Sequence, residues 1–208
     1  MTGRLESFIA ATPCFILAGT LAITWIDPLR VDAGSWVKFG VAIMVLEFIL
    51  VHSGGMMASM LSDKDEQANW NQLKLLTGAT LFYAIFVAAM AFSFKSWTLF
   101  YIFTAVMISR WISFFTMPEY ARTIATRRSG SSVVYYLLAV FLSVVIPWPE
   151  LGVTRDIVNS VYPDRGSGHW ERYPQSALAA GVIYFCLLGM TELSLGKIKS
   201  GDLRNAKP

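Results

Sequence analysis

The sequence predicts an all-α membrane protein, a polytopic bundle of six transmembrane helices forming a single domain over residues 1–208. Hydrophobic residues make up 55% of the chain and charged residues only 15%, and the mean hydropathy is +0.51. A soluble domain would carry charge on roughly a quarter of its residues. The apolar residues are grouped in runs of about 20, the length of helix that crosses a hydrocarbon core. The alternating pattern of barrel strands is absent, so helices are the expected spanning elements.

Six spans are predicted, near residues 8–26, 36–62, 73–94, 97–117, 132–148 and 175–196. The first span follows Arg4 and resembles a secretory signal, but its apolar run is longer than a signal core and five spans follow it. We therefore expect it to be a retained helix. Spans one to three do not resemble spans four to six, and the fifth has no counterpart of Glu47. This argues against the inverted repeats of many transporters.

Two of the connecting segments have a predicted structure of their own. After the fourth span, Thr116 is expected to cap a separate short helix that precedes the fifth span. This segment carries the predicted membrane-surface basic residues, Arg122, Arg127 and Arg128, which suit an anionic inner leaflet. The outer loop, residues 149–174, is expected to hold a short amphipathic helix over residues 154–162. Its apolar stripe is Val153, Ile157, Val158 and Val161, and its polar face is Arg155, Asp156 and Asn159.

The distribution of basic residues predicts the orientation of the chain. Ten Lys and Arg residues flank one set of span ends and six flank the other. Because cytoplasmic loops carry the excess, both termini are predicted to be cytoplasmic, in the inner (plasma) membrane of a bacterium. The net charge of +3 reflects this rim and implies no nucleic-acid partner. Tryptophans at the predicted outer span ends fit an aromatic belt: Trp25, Trp36, Trp97, Trp148 and Trp170.

A cluster of ionisable residues is predicted inside the membrane. Glu47 lies seven residues from both Gly40 and Gly54, so its carboxylate should face a closely packed neighbouring helix. His52 lies about 140° round the same helix. At 1.5 Å per residue, Glu47 is roughly 16 Å below the outer span ends, Arg110 roughly 20 Å, and His52 and Glu192 roughly 24 Å.

These depths place His52, Arg110 and Glu192 in one layer of the inner half of the bilayer, with Glu47 near the midplane, so that three or four ionisable residues on three helices lie close in depth. Arg110 is the one basic residue well inside a predicted span, and an unpaired guanidinium there is costly. We expect it to pair with Glu192 or, as second choice, with Glu47. One interpretation is a structural ion pair between spans two, four and six. The other is a lining for a proton or ion pathway.

A metal site is a further possibility on the second span. His52 lies on one helical face with Met56 and Met60. Imidazole and thioether ligands suit Cu(I), so these three residues are the candidate metal ligands and copper the candidate metal. Nine methionines occur in the chain, so core packing is the competing explanation for this spacing, and no cofactor is otherwise expected.

Known catalytic patterns are missing from the sequence. The two histidines, His52 and His169, lie in different layers, whereas a di-iron membrane hydroxylase needs many histidines. The chain has no His-Glu-x-x-His, Gly-x-Ser-x-Gly or Cys-x-x-Cys pattern. We therefore do not expect an enzyme.

Three hypotheses of function follow. The first is a non-catalytic membrane protein, a subunit or scaffold of a membrane assembly whose partners are the bilayer and other membrane subunits or further copies of the chain. The second is a small channel or transporter for protons or ions that uses Glu47, His52, Arg110 and Glu192. The third is a membrane metalloprotein that binds copper.

Overall fold

The computed structural model describes residues 2–61, 68–116 and 119–205, and inside these ranges the side chains of residues 2–4, 6, 58–61, 68, 69, 72, 114, 119–124 and 195–205 lie outside it. The chain is all-helical, with 86% of it in helix and no strand in the described ranges. The described helices are α1 (Thr2–Ile26), α2 (Ser35–Leu61), α3 (Ala68–Ser93), α4 (Thr98–Thr116), α5 (Glu119–Val145), α6 (Arg155–Val161), α7 (His169–Arg172) and α8 (Pro174–Asn205). Two 3-10 turns, Pro28–Arg30 and Asp32–Gly34, join α1 to α2.

Five of these helices are long and apolar enough to cross a membrane, judged by length and composition of the described residues. The candidate spans are Ser7–Ile26, Asp32–Met57, Leu73–Ser93, Ala125–Val145 and Pro174–Ser194. Within the described residues, the predicted fourth span contributes a shorter apolar helix, Thr98–Ser113. The described part of the chain is therefore helical, and its apolar helices are compatible with a membrane protein. The count of six spans stays a prediction.

The region before the fifth span differs from the prediction. A separate short helix was expected there, followed by a span at residues 132–148, but α5 runs without a break from Glu119 to Val145. Gly130 lies inside this helix, and the two serines after it donate their hydroxyls back to its own backbone, Ser131 to Arg127 O at 3.1 Å and Ser132 to Ser129 O at 2.8 Å. The helix ends just before Pro147, which cannot continue it.

The segment between α5 and α8 contains the amphipathic helix α6. Val158 in this helix is buried, and so is Val153 just before it. Arg155, Asp156 and Asn159 are exposed. The apolar stripe thus packs against the protein and the polar face points away, as the spacing indicates. That this segment lies on the outer side of a membrane stays a prediction.

The chain forms two compact units. Unit 1 comprises the described parts of Met1–Val41 and Tyr135–Pro208, and unit 2 comprises those of Ala42–Val134. The boundaries fall inside α2 and α5, so each of these helices contributes to both units. Unit 1 is therefore discontinuous in sequence, whereas unit 2 is one continuous stretch.

Unit 1 is built on close packing between α1 and α8, with the beginning of α2 against both. A Cβ added at Gly40 of α2 would lie 2.5 Å from Leu178 Cδ2 and 3.1 Å from Leu21 Cδ2. A Cβ at Gly189 of α8 would lie 2.8 Å from the ring of Phe15. Glycine at these two positions lets the helices approach closely, as small residues do in membrane helix packing.

One end of unit 1 is closed by the turn at residues 149–152. The indole Nε1 of Trp25 donates to Pro149 O at 2.9 Å, and Gly152 N donates to Trp25 O at 3.1 Å. A Cβ at Gly152 would overlap the carbonyl oxygen of Ile26. Trp25 also packs edge-on against Trp148, with ring centroids 5.7 Å apart. The turn is thus fixed to the end of α1 by backbone contact that glycine alone permits.

Candidate functional site

The polar contacts of unit 2 centre on Arg110 of α4. Its Nη1 donates to Ser53 Oγ on α2 at 2.6 Å. Ser53 is buried and donates its own hydroxyl proton to Leu50 O at 3.1 Å. The serine oxygen is therefore oriented by its own helix and free to accept from the guanidinium. This short, charge-assisted bond joins α2 to α4 within the apolar part of the protein.

Gly54 makes room for this guanidinium. A Cβ at Gly54 would lie 3.1 Å from Arg110 Nη2 and 3.4 Å from Ser129 Oγ, which belongs to α5. Side chains from α4 and α5 thus reach the backbone of α2 at one point. The sequence singled out Gly54 as a position of close approach, and the structure places a side chain, not a helix backbone, against it.

A second polar contact joins α3 to α4. The indole Nε1 of Trp111 donates to Thr80 Oγ1 at 3.2 Å, and Thr80 donates to Leu76 O in its own helix at 2.8 Å. Leu76 is buried with Met57, and Trp111 packs against this pair. Each of these two contacts therefore binds one helix to another beside buried apolar side chains.

His52 lies on a different face of α2 from Ser53. Its side chain is exposed, and its ring packs against two aromatic rings, Phe48 at 5.9 Å and Tyr83 at 6.0 Å between centroids. The hydroxyl of Tyr83 lies 4.0 Å from Met56 Sδ, a weak contact to sulfur. His52 therefore contacts aromatic groups on α2 and α3, while Arg110 contacts Ser53 and Gly54.

The two carboxylates of the predicted cluster fall in different units. Glu47 is half-buried on α2 in unit 2, and Glu192 is buried on α8 in unit 1 with 7% of its surface exposed. Beside Glu192, Thr191 donates its hydroxyl to Tyr135 OH at 3.1 Å, which joins α8 to α5. The ion pair of Arg110 with Glu192 or Glu47 stays a prediction.

The predicted metal ligands and basic residues are described in part. The side chains of Met60 and Arg122 lie outside the described residues. Arg127 and Arg128 are exposed on α5. The described residues contain no group of three or more His, Cys, Asp or Glu side chains that would hold a metal ion. A copper site built from an imidazole and methionine sulfur is a different kind of site, and copper at His52 and Met56 stays a prediction.

A polar network at the loop end of unit 1 was not predicted. Tyr162 is buried, donates its hydroxyl to Glu171 Oε1 at 3.3 Å, and lies under Lys38 Nζ at 5.5 Å from the ring centroid. Gly168 N donates to the second oxygen of Glu171 at 3.0 Å. Burial raises the pKa of Tyr162, the negative charge and hydrogen bond of Glu171 raise it further, and Arg165 opposes them. The tyrosine is thus held neutral, as a donor.

A related contact in the same unit uses Ser143 of α5. Trp170 Nε1 donates to Ser143 Oγ at 3.0 Å, and Ser143 donates to Val140 O at 2.7 Å. His169 Nε2 lies 3.4 Å from Ser143 O, a donor contact in the tautomer that carries the proton there. These polar side chains hold the loop against the helices. In the sequence, the tryptophans at the predicted span ends indicated an aromatic belt at the membrane interface. They did not indicate this hydrogen-bond network.

Comparison of the chain with protein-family models, with curated proteins and with solved structures finds no match.

Proposed function

We propose that the chain is a non-catalytic integral membrane protein that acts as a subunit or scaffold of a membrane protein assembly. The observation that carries the proposal is how the polar side chains of its apolar helices are used. Arg110 is bonded to Ser53, Trp111 to Thr80, and Thr191 to Tyr135. Each contact joins two different helices, and such hydrogen bonds stabilise helix association in membranes.

The apolar surface of the protein supports the same proposal. In the candidate spans of α2 and α8, 61% and 56% of the residues are buried, but in those of α1, α3 and α5 only 22%, 28% and 17% are. Large exposed apolar faces on a protein mark contact with lipid or with partner proteins. These three helices therefore offer broad apolar surfaces for lipid and for neighbouring membrane helices.

The location we propose is a bacterial inner membrane with both termini in the cytoplasm. The excess of Lys and Arg on one set of span ends supports this orientation. Arg127 and Arg128, both exposed, would then face the anionic inner leaflet.

The test is purification of the tagged chain from its native membrane in a mild detergent, with quantitative mass spectrometry against an untagged control. We expect a defined set of membrane proteins to co-purify in constant ratio. A chain that purifies alone and carries protons or ions in liposomes, with flux lost in Glu47→Gln, would contradict the proposal and favour the channel. Stoichiometric copper by elemental analysis, lost in His52→Ala, would favour the metalloprotein.

A further inference from the structure

We draw no further inference here: the strongest candidate, the side-chain cluster of Tyr162, Glu171 and Lys38 at the loop end of unit 1, is held together by its own contacts, and nothing in the described part of the chain points to a ligand or partner for it.

Discussion

Replacing Ser53 with alanine removes the oxygen that accepts a hydrogen bond from Arg110 at 2.6 Å. In soluble proteins a hydrogen bond to a charged group contributes about 1.5–3 kcal/mol. Between transmembrane helices the measured average is about 0.6 kcal/mol and the largest values are about 1.7 kcal/mol. The bond is short and Ser53 is buried, so we expect the upper end of the membrane range. The free energy of unfolding should fall by about 1.5 kcal/mol, roughly tenfold in the equilibrium constant.

The measurement is a double-mutant cycle of Ser53→Ala and Arg110→Met, with reversible SDS-induced unfolding in mixed micelles followed by tryptophan fluorescence. The control is Thr104→Val on α4, because that hydroxyl donates to Phe100 O of its own helix. We expect the control to cost less than about 0.5 kcal/mol. If the two variants are additive within about 0.5 kcal/mol, the contact is not coupled and our reasoning about it fails.

The remaining predictions concern helix packing, membrane orientation and Glu47. Gly40→Ala should destabilise the protein, because overpacking costs about 1–3 kcal/mol and exceeds the gain in helix propensity of about 1 kcal/mol. The control is Gly19→Ala, whose new Cβ would have no atom within 4 Å, so this variant should be neutral or stabilising. Equal effects of the two substitutions on stability would contradict the close packing at Gly40. With native cysteines replaced, Ser167→Cys should react with an impermeant maleimide in intact cells and Ser129→Cys should not; the reverse pattern means an inverted orientation. Glu47→Gln should leave folding and co-purification unchanged, whereas Glu47→Leu should lower stability by leaving its partner unpaired; a fully stable Leu variant would make Glu47 incidental.

Hydrophobic length predicted the helices more closely than it predicted where they break. The second span was placed at residues 36–62, and α2 is Ser35–Leu61. The region around Gly130 was expected to separate two helices, but α5 is continuous. A cluster of glycine and serine residues in a sequence is typical of a loop. Inside a helix, a serine hydroxyl can donate a hydrogen bond to a carbonyl oxygen of the preceding turn. The sequence pattern does not show whether such a bond forms.

The sequence predicts a depth for each residue of the candidate site, and it leaves open the direction in which each side chain points. Counting residues along a helix fixes the height of Arg110, and the cost of burying a guanidinium requires a partner at that height. The rotation of α4 against α2 decides which partner it meets, and the sequence leaves that rotation open. Ser53 was therefore missed, although its neighbour Gly54 was recognised as a position of close approach. The exposure of His52 also depends on that rotation.

The discontinuity of unit 1 imposes an order on its assembly during synthesis. The Trp25 side chain meets Pro149 O, a partner 124 residues further along the chain, and α1 packs along α8, which follows the other described helices in the sequence. Unit 2 is a single stretch and has all its contacts available before α8 leaves the ribosome. If the helices insert into a membrane as we propose, the α8-facing side of α1 faces lipid or the insertion machinery until α8 has been made. Until α8 has been made, α1 is exposed to wrong pairing and to proteolysis. Slowed or truncated synthesis should therefore impair the folding of unit 1 before that of unit 2.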